Sequence, residues 1–252
     1  MTISIVSSGD GTTGSIQLNG TNVSTFTNSG MPFMRNILIN GDMRINQRVT
    51  TIAAAANGTY GPDRWKKVDA GNMTQIVESG NFKPSTIYTL SGTNVTTQQI
   101  TSPASGHWTL PNISITATNV QLEEGSIATP FELRPIGLEL IMCQRYYEKS
   151  YNDAEAPGTI TSAGGYHMTV GAATPWPSTA TVQFRVVKRI SPTITTYNPF
   201  AANSAWGDEG RNQDFSSNIS LVNDSSMRIY PAPEIPSTTR HLHIHWVANA
   251  EI

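Results

Sequence analysis

The chain has 252 residues, a net charge of −2 and 13% charged side chains, which is about half the share usual in soluble domains. This balance gives no indication of a basic face that would bind a nucleic acid. The polar surface must consist mainly of Ser, Thr, Asn and Gln, which is typical of exposed β-surfaces and turns. No stretch approaches the ~20 apolar residues of a membrane span, so we expect no membrane insertion. The length allows one large all-β domain or two smaller ones.

Two further features concern compartment and redox chemistry. Cys143 is the single cysteine, which excludes an intrachain disulfide and a thiolate metal cluster. The first residues have neither the basic start nor the apolar run of a signal peptide. We therefore expect synthesis in a cytoplasm and use elsewhere by assembly.

Residues 1–34 are polar, with isolated apolar side chains at partly alternating positions. Such a segment buries too little surface to fold alone. It is either a disordered tail or an arm that becomes ordered against a partner or sister subunits. The alternation in Ile16–Leu18 and Thr25–Thr27 favours the arm.

Residues 35–133 are predicted to form a β-sandwich. Ile37–Ile39 is a short buried strand candidate, and Asn40-Gly41 is a turn signal. Further strand candidates are bounded by Gly, Pro, Ser or Asn. They are residues 73–77, 87–90, 94–100 and 113–121.

Residues 134–151 are predicted to form a connecting α-helix. Pro135 suits a first helical turn, and apolar side chains follow at spacings of four, three and four. A lone helix of this length is marginal in water, so the stripe must pack on a sandwich or on two sister helices around a threefold axis. The stripe, predicted as a trimer contact, is Ile136, Leu140, Cys143 and Tyr147.

Residues 152–252 are predicted to form a second β-sandwich behind a linker at 152–165. The predicted strands alternate with Pro-rich turns. They are residues 166–170, 179–187, 194–197, 218–222, 227–230 and 241–248.

Several motifs carry a family resemblance. The segments NILINGDMRINQR (36–48), YGPDRW (60–65), VQLEEGSIATPFELRPIG (120–137) and CQRYYEKS (143–150) resemble recurring pieces of tail-fibre and tail-associated virion proteins of tailed bacteriophages. FRVVKRISPTITTYNP and the final HWVANAEI resemble the C-terminal domain of the same proteins.

The resemblance implies a trimeric fibre in the virion. It implies a jelly-roll-like first sandwich, here reduced because only about fifty residues separate DRW from VQLEEGS. It also implies arms that attach to a tail or baseplate protein, and outward C-terminal domains that bind a polysaccharide of the host surface. The alternatives are a capsid decoration or head fibre protein and, third, a polysaccharide depolymerase.

Aromatic rings beside polar side chains in the C-terminal half are candidates for sugar recognition, because a ring covers the apolar face of a pyranose. Each of these rings is alternatively a core or turn residue. The receptor-binding candidates are Trp176, Tyr197, Trp206, Asp208, Arg211 and Tyr230.

The segment His241-Leu-His-Ile-His245 places three imidazoles on one face of a strand. Neutral imidazoles bind zinc, nickel or iron, and an ion on a trimer axis would be surrounded by such pairs. The alternative is a half-buried strand whose outer face carries histidines. The metal candidates are His241, His243 and His245.

Signatures of catalysis are absent from the sequence: there is no G-x-S-x-G, H-E-x-x-H, P-loop or dinucleotide motif. We therefore expect no enzyme activity and no cofactor beyond the histidine-bound metal.

Overall fold

The computed structural model describes residues 34–171, 179–209, 213–232 and 238–252, together with the backbone of strands before residue 28. Its regular elements are strands, apart from one short helix in the described part of the chain. The predicted all-β class is therefore confirmed.

The segment predicted as an N-terminal arm contains an antiparallel sheet in the order β1-β2-β3. Its strands are β1 (Ile3–Ser7), β2 (Thr13–Leu18) and β3 (Thr21–Thr27). A disordered tail is thus not what the structure shows for these ranges, while attachment to a virion stays a prediction.

Residues 35–133, here called the first β-unit, contain three small sheets with the strand orders β10-β5-β4, β11-β7-β8 and β6-β9. Strand β7 lies between two neighbours, so its residues from Tyr88 to Ser91 are all buried. The strands are β4 (Lys66–Lys67), β5 (Asn72–Thr74), β6 (Ile76–Val77), β7 (Ile87–Thr93), β8 (Gln98–Thr101), β9 (Trp108–Thr109), β10 (Ile113–Ser114) and β11 (Thr118–Glu124).

The core of the first β-unit is built around aromatic side chains. Trp65 and Leu90 are fully buried, and Trp108 makes edge contacts with Tyr88 and Phe82 at ring-centre distances of 5.3 and 5.4 Å. Such pairs of aromatic rings stabilise the fold by more than the burial of their apolar surface alone. The indole N–H of Trp65 donates to the Asn40 carbonyl oxygen at 2.7 Å, which satisfies its polar end.

The helix is shorter than the sequence predicts. Helix α1 spans Ile136–Gln144, and the chain then becomes strand β12 (Tyr147–Lys149). Strand β12 pairs antiparallel with the last strand of the chain, with Tyr147 opposite Asn249. Helical periodicity continued past residue 144 in the sequence, but this long-range pairing buries Tyr147 and overrides it.

The predicted apolar stripe is correspondingly divided. Cys143 is buried against Ile39 and Tyr146, where burial raises the pKa of its thiol. Leu140 is half-buried in the same cluster, whereas Ile136 is 52% exposed. Tyr147 belongs to strand β12 and not to the helix. The four residues of the predicted stripe therefore do not form one helical face.

Residues 152–252, here called the second β-unit, are organised around strand β20. The strands are β13 (Tyr166–Val170), β14 (Ala180–Gln183), β15 (Thr193–Tyr197), β16 (Trp206–Asp208), β17 (Asp214–Phe215), β18 (Ser217–Ser220), β19 (Ser226–Pro231) and β20 (Arg240–Asn249). A second sheet, β14-β19-β18, shares one core with the β20 sheet through residues such as Met227, Ile229 and Ile244.

The two halves of β20 differ in environment. Its first half runs between β13 and β16, and its second half between β12 and β15. In the first half buried Arg240, Leu242 and Ile244 alternate with the more exposed His241 and His243. The second half is buried on both faces as far as Ala248. The outer histidine face is therefore confined to the first half.

The segment predicted as a linker, residues 152–165, packs against Lys149 of β12 and the neighbouring Ser150. The Lys149 ammonium donates to the carbonyl oxygens of Asp153 and Glu155 at 3.0 and 2.6 Å. Gly164 has φ +82°, and a Cβ there would lie 2.5 Å from the Ser150 carbonyl oxygen, so only glycine fits.

The two β-units are joined by a buried ionic cluster at the chain's last residues. The Glu251 carboxylate binds Arg48 at 3.1 Å and also Arg64, and it is only 5% exposed. Arg48 also binds Asp63 at 3.1 Å, and the Tyr60 hydroxyl donates to the Ile252 carbonyl oxygen at 2.7 Å. Burial, together with nearby Glu251, raises the pKa of Tyr60 to about 12.

Candidate functional site

The first β-unit contains an open pocket of about 310 Å³, which is at the lower end of the size of small-ligand sites. The walls come from β7, from β11 and from the segment that follows β11. The lining residues are Ser91, Gly92, Thr93, Thr97, Asn119, Gln121, Ala128, Thr129 and Phe131.

A β-bulge creates this pocket. Thr118 pairs with Thr93 and Gln121 with Ser91, so two residues of β11 lie opposite Gly92 alone. A Cβ on Gly92 would lie 3.0 Å from the Val120 Cα, too close for a side chain without backbone movement. Bulges commonly occur beside functional sites, where they redirect side chains.

Asn119, the extra residue of the bulge, lies outside the regular pairing of β7 with β11. Asn119 has φ 51°, a left-handed conformation that asparagine tolerates better than most residues. It is exposed and lines the pocket. The bulge thus places a primary amide at the mouth of the pocket.

A hydrogen-bonded network fixes the opposite wall. The buried Glu123 carboxylate accepts bonds from the Thr129 N–H and hydroxyl, both at 2.7 Å, and from the Gln121 amide at 2.8 Å. Arg35 donates to the Thr129 hydroxyl oxygen at 2.5 Å. Gln121 in turn accepts the Glu132 N–H at 2.8 Å. The wall is therefore preorganised before any ligand arrives.

The phenyl ring of Phe131 is the apolar part of the pocket. Its Cε2 atom would lie 3.1 Å from a Cβ on Gly41, so the absence of a side chain at Gly41 gives the ring its place. The Gly41 backbone is itself tied to β11, because the Val120 N–H donates to the Gly41 carbonyl oxygen at 2.8 Å. The Asn-Gly turn predicted from sequence thus supports one wall of the site.

Four polar side chains of the pocket are available to a ligand. The hydroxyls of Ser91, Thr93 and Thr97 and the amide of Asn119 make no side-chain hydrogen bond to another residue within the described ranges. The lining carries no ionisable side chain. Of the charged groups that contact it, the Glu123 carboxylate is held by Thr129 and Gln121, and the Arg35 guanidinium donates to Thr129. This combination favours an uncharged ligand with several hydroxyl groups and an apolar face.

Two of the predicted receptor-binding residues lie in the interior. Trp206 has no exposed surface and makes an edge contact with Tyr166 at 6.2 Å. Asp208 is 4% exposed, binds Arg240 at 2.8 Å and accepts the His241 N–H. Neither presents the surface on which a sugar would lie.

Of the remaining receptor-binding candidates, Tyr197 and Tyr230 belong to the described part of the chain. Tyr197 is half-buried and makes an edge contact with Tyr151 at 6.1 Å. Tyr230 is half-buried beside the Arg228 guanidinium, 5.2 Å from the ring centre. Trp176 and Arg211 lie outside the described residues. The ring contacts of Tyr197 and Tyr230 within the described ranges are thus with residues outside the predicted receptor-binding set.

The three predicted metal ligands are divided. His245 has no exposed surface: its ring stacks on Tyr151 at 3.7 Å, and its nitrogens bond to the Ser150 hydroxyl and the Thr161 carbonyl oxygen, both at 2.8 Å. His241 and His243 lie on the outer face of the sheet. Across residues 34–171, 179–209, 213–232 and 238–252, no three His, Cys, Asp or Glu side chains are arranged to hold a metal ion as they stand.

The pocket was not predicted from the sequence. One signal was present: Gly92 lies between the strand candidates 87–90 and 94–100, where the sequence pattern indicates a boundary. Strand β7 runs through it, and a glycine inside a strand indicates a bulge or a close backbone approach. The hydroxyl-rich neighbourhood was another signal, but Ser and Thr occur throughout the chain. Only the pairing of β7 with β11 brings Ser91 and Asn119 to one place.

The described helix does not have the length and apolarity of a membrane span. Comparison with known proteins assigns the chain to no family. No family model, no curated protein and no solved structure matches this chain.

Proposed function

We propose that this chain is a non-enzymatic structural and adhesive protein that binds a neutral glycan in the pocket beside the β7–β11 bulge. The observation that carries the proposal is the lining: free hydroxyl and amide groups, a phenyl ring, and no ionisable side chain. Sugar hydroxyls exchange hydrogen bonds with such groups, and the apolar face of a pyranose covers an aromatic ring. A depolymerase would require two convergent carboxylates, which the lining does not supply.

We further propose a virion context, in which the chain is a tail-fibre or baseplate protein. The support is the sequence resemblance given above and the low charge. Immunogold labelling of virions with antibodies against this chain tests the location. We expect label at the tail or baseplate. Label confined to capsid faces or vertices would replace this proposal with a capsid decoration or head fibre.

We also infer that the first β-unit is a reduced jelly-roll-like sandwich, that the second is another sandwich, and that the chain forms a homotrimer. Three linked pockets would compensate for weak single sites, since multivalency raises avidity by about 10²–10⁴ without new contacts. The exposed apolar residues of the helix region support the trimer. They are Leu133, Ile136, Leu138 and Ile141, between 39% and 68% exposed.

A glycan array tests the ligand class. The full-length protein should bind neutral glycans and not their acidic analogues, and Asn119→Ala should lose the signal. Asn112→Ala, which changes an exposed asparagine of the same β-unit outside the lining, is the matched control and should bind normally. Binding that survives Asn119→Ala unchanged, or a preference for acidic glycans, would contradict the proposed site. Release of reducing ends from host polysaccharide would instead indicate an enzyme.

A further inference from the structure

Three of the five histidines lie together on the outer face of the β20 sheet. His167 of β13 is directly opposite His243 of β20, and Thr169 is opposite His241. Residues two apart on a strand share a face, so His241 and His243 are joined there by the cross-strand neighbour His167. We call His167, His241 and His243 the outer histidine cluster.

The spacing of these rings suits a shared ion. The ring centres of His167 and His243 are 4.5 Å apart, and those of His167 and His241 are 6.0 Å apart. Two imidazoles bound to one zinc ion place their ring centres about 5 Å apart, because the Zn–N bond is about 2 Å and the angle is tetrahedral. The observed distances lie on either side of this value.

A carboxylate completes the set. The Glu209 Oε2 atom lies 3.1 Å from Nε2 of His243, and Glu209 is fixed to the same strand because its N–H donates to the His241 carbonyl oxygen at 2.9 Å. Asp208, in contrast, is occupied by Arg240. Imidazole and carboxylate together are a ligand set for first-row divalent metals.

We propose that His167, His241, His243 and Glu209 bind one first-row divalent cation of the zinc class within a single chain. The exposed rings of His167 and His241 must rotate about their side-chain bonds to converge, since the three rings do not surround a common point as they stand. His245 takes no part, because both its nitrogens are already bonded inside the fold. The site therefore differs from the predicted trimer-axis site because it lacks His245, adds His167 and Glu209, and holds one ion per chain.

Isothermal titration of the untagged full-length protein with ZnCl₂ tests this proposal, with Co²⁺ absorption spectra as the structural readout. We expect one ion per chain and a tetrahedral Co²⁺ spectrum. His167→Asn and His243→Asn should each weaken Zn²⁺ binding at least about tenfold. The two histidines are on the surface side of the sheet, and circular dichroism would verify that the variants fold.

The matched control is His107→Asn, which changes a histidine of the first β-unit whose ring accepts the Ser79 N–H. It should leave the affinity unchanged. One ion per three chains would move the site to a trimer axis and overturn the proposal. So would binding that His167→Asn leaves intact, or binding that His107→Asn weakens as much.

Discussion

At the scale of single residues, His245 shows how burial redirects a side chain. Its Nε2–H donates to the Thr161 carbonyl oxygen, so Nδ1 is the acceptor of the Ser150 hydroxyl in the neutral ring. Protonation of Nδ1 would remove that acceptor. Burial lowers the pKa of His245 below its ordinary value of 6.5. The ring is therefore a structural element of the loop that covers β20.

This depressed pKa predicts an acid-side loss of stability. As pH falls below about 6.5, the unfolded state binds a proton that the folded state resists, so the free energy of unfolding decreases by at most about 1.4 kcal/mol per pH unit for one proton. Urea unfolding from pH 7.5 to 5 should show this slope, and His245→Gln should reduce it. The control His107→Gln should keep the slope. A wild-type stability independent of pH in this range would contradict the assignment.

At the scale of elements, the β7–β11 bulge connects sequence to site. Gly92 permits the close approach of β11, Asn119 takes the left-handed conformation, and the next residues return to regular pairing. Helix α1 reverses the usual amphipathic pattern. Its exposed outer face is apolar, and its inner face carries the buried Glu139. Glu139 accepts the Asn40 N–H. Arg134, which donates to Glu139 at 3.0 Å, also donates to the Leu38 carbonyl oxygen at 2.9 Å. These bonds tie the helix start to the first β-unit.

Replacing Gly92 tests the bulge. Gly92→Ala should lower the free energy of unfolding by about 1–3 kcal/mol, because its Cβ would lie 3.0–3.1 Å from β11 backbone atoms. It should also abolish glycan binding. Gly137→Ala is the matched control: no atom lies within 4 Å of its Cβ, and in a helix it should stabilise by up to about 1 kcal/mol. Equal urea midpoints for Gly92→Ala and wild type would refute the proposed strain.

The outer face of α1 is the place to test self-association. Ile136→Asp should dissociate the proposed trimer, since it puts a charge on an apolar surface that is 52% exposed in the single chain. Sedimentation equilibrium measures the change in mass. Ile160→Asp, at a residue 60% exposed on the second β-unit, should leave the mass unchanged. A trimer that tolerates Ile136→Asp would place the contact elsewhere.

At the scale of the whole molecule, a buried ionic cluster joins the two β-units beside a small apolar cluster that includes Ile39, Ile45 and Ile252. Arg64 lies over the Tyr146 ring at 3.6 Å and Arg48 over the Tyr147 ring at 3.7 Å, and both bind Glu251. A buried ion cluster costs desolvation energy, so it stabilises only while every partner is present. The contact is thus specific and easily broken by one substitution.

Removing Glu251 tests this contact. Glu251→Ala leaves Arg48 and Arg64 without their shared carboxylate, and we expect a loss of about 3–5 kcal/mol in the free energy of unfolding. Calorimetry should show the two β-units unfolding at separate temperatures. The control is Glu124→Ala, which breaks an exposed pair with Lys83 and should leave the transition as it is. A single unchanged transition in Glu251→Ala would contradict the account.

The sequence predicted local structure better than the site. Alternation identified β13 at residues 166–170 and the first half of β20, because these segments have one covered and one outer face. The predicted helix was too long at its C-terminal end, because β12 forms only by pairing with a strand about a hundred residues away. His245 and Trp206 could not be recognised as buried from their own strands, because other segments cover them.

The sequence segments that carry the family resemblance contact one another through hydrogen bonds in and beside the first β-unit. Gln47 binds Asp63 at 2.6 Å, and the Asn40 amide donates to the Asp63 carbonyl oxygen at 2.9 Å, which joins two motif segments. Arg134 donates to the Leu38 carbonyl oxygen at 2.9 Å and adds a third. These residues hold the first β-unit together. Four of the nine pocket residues, among them Phe131, lie in the motif segment 120–137, and the other five lie outside the motifs.

We propose that the bulge pocket binds a neutral sugar through its free polar groups and the Phe131 ring. Isothermal titration of the full-length protein with the strongest neutral oligosaccharide from the array tests it most directly. We predict one site per chain, and at least tenfold weaker binding for Phe131→Ala, which corresponds to about 1.4 kcal/mol. The same titration with Phe200→Ala, an exposed ring of the second β-unit, should match wild type. Undiminished affinity in Phe131→Ala, or loss in Phe200→Ala alone, would contradict the claim.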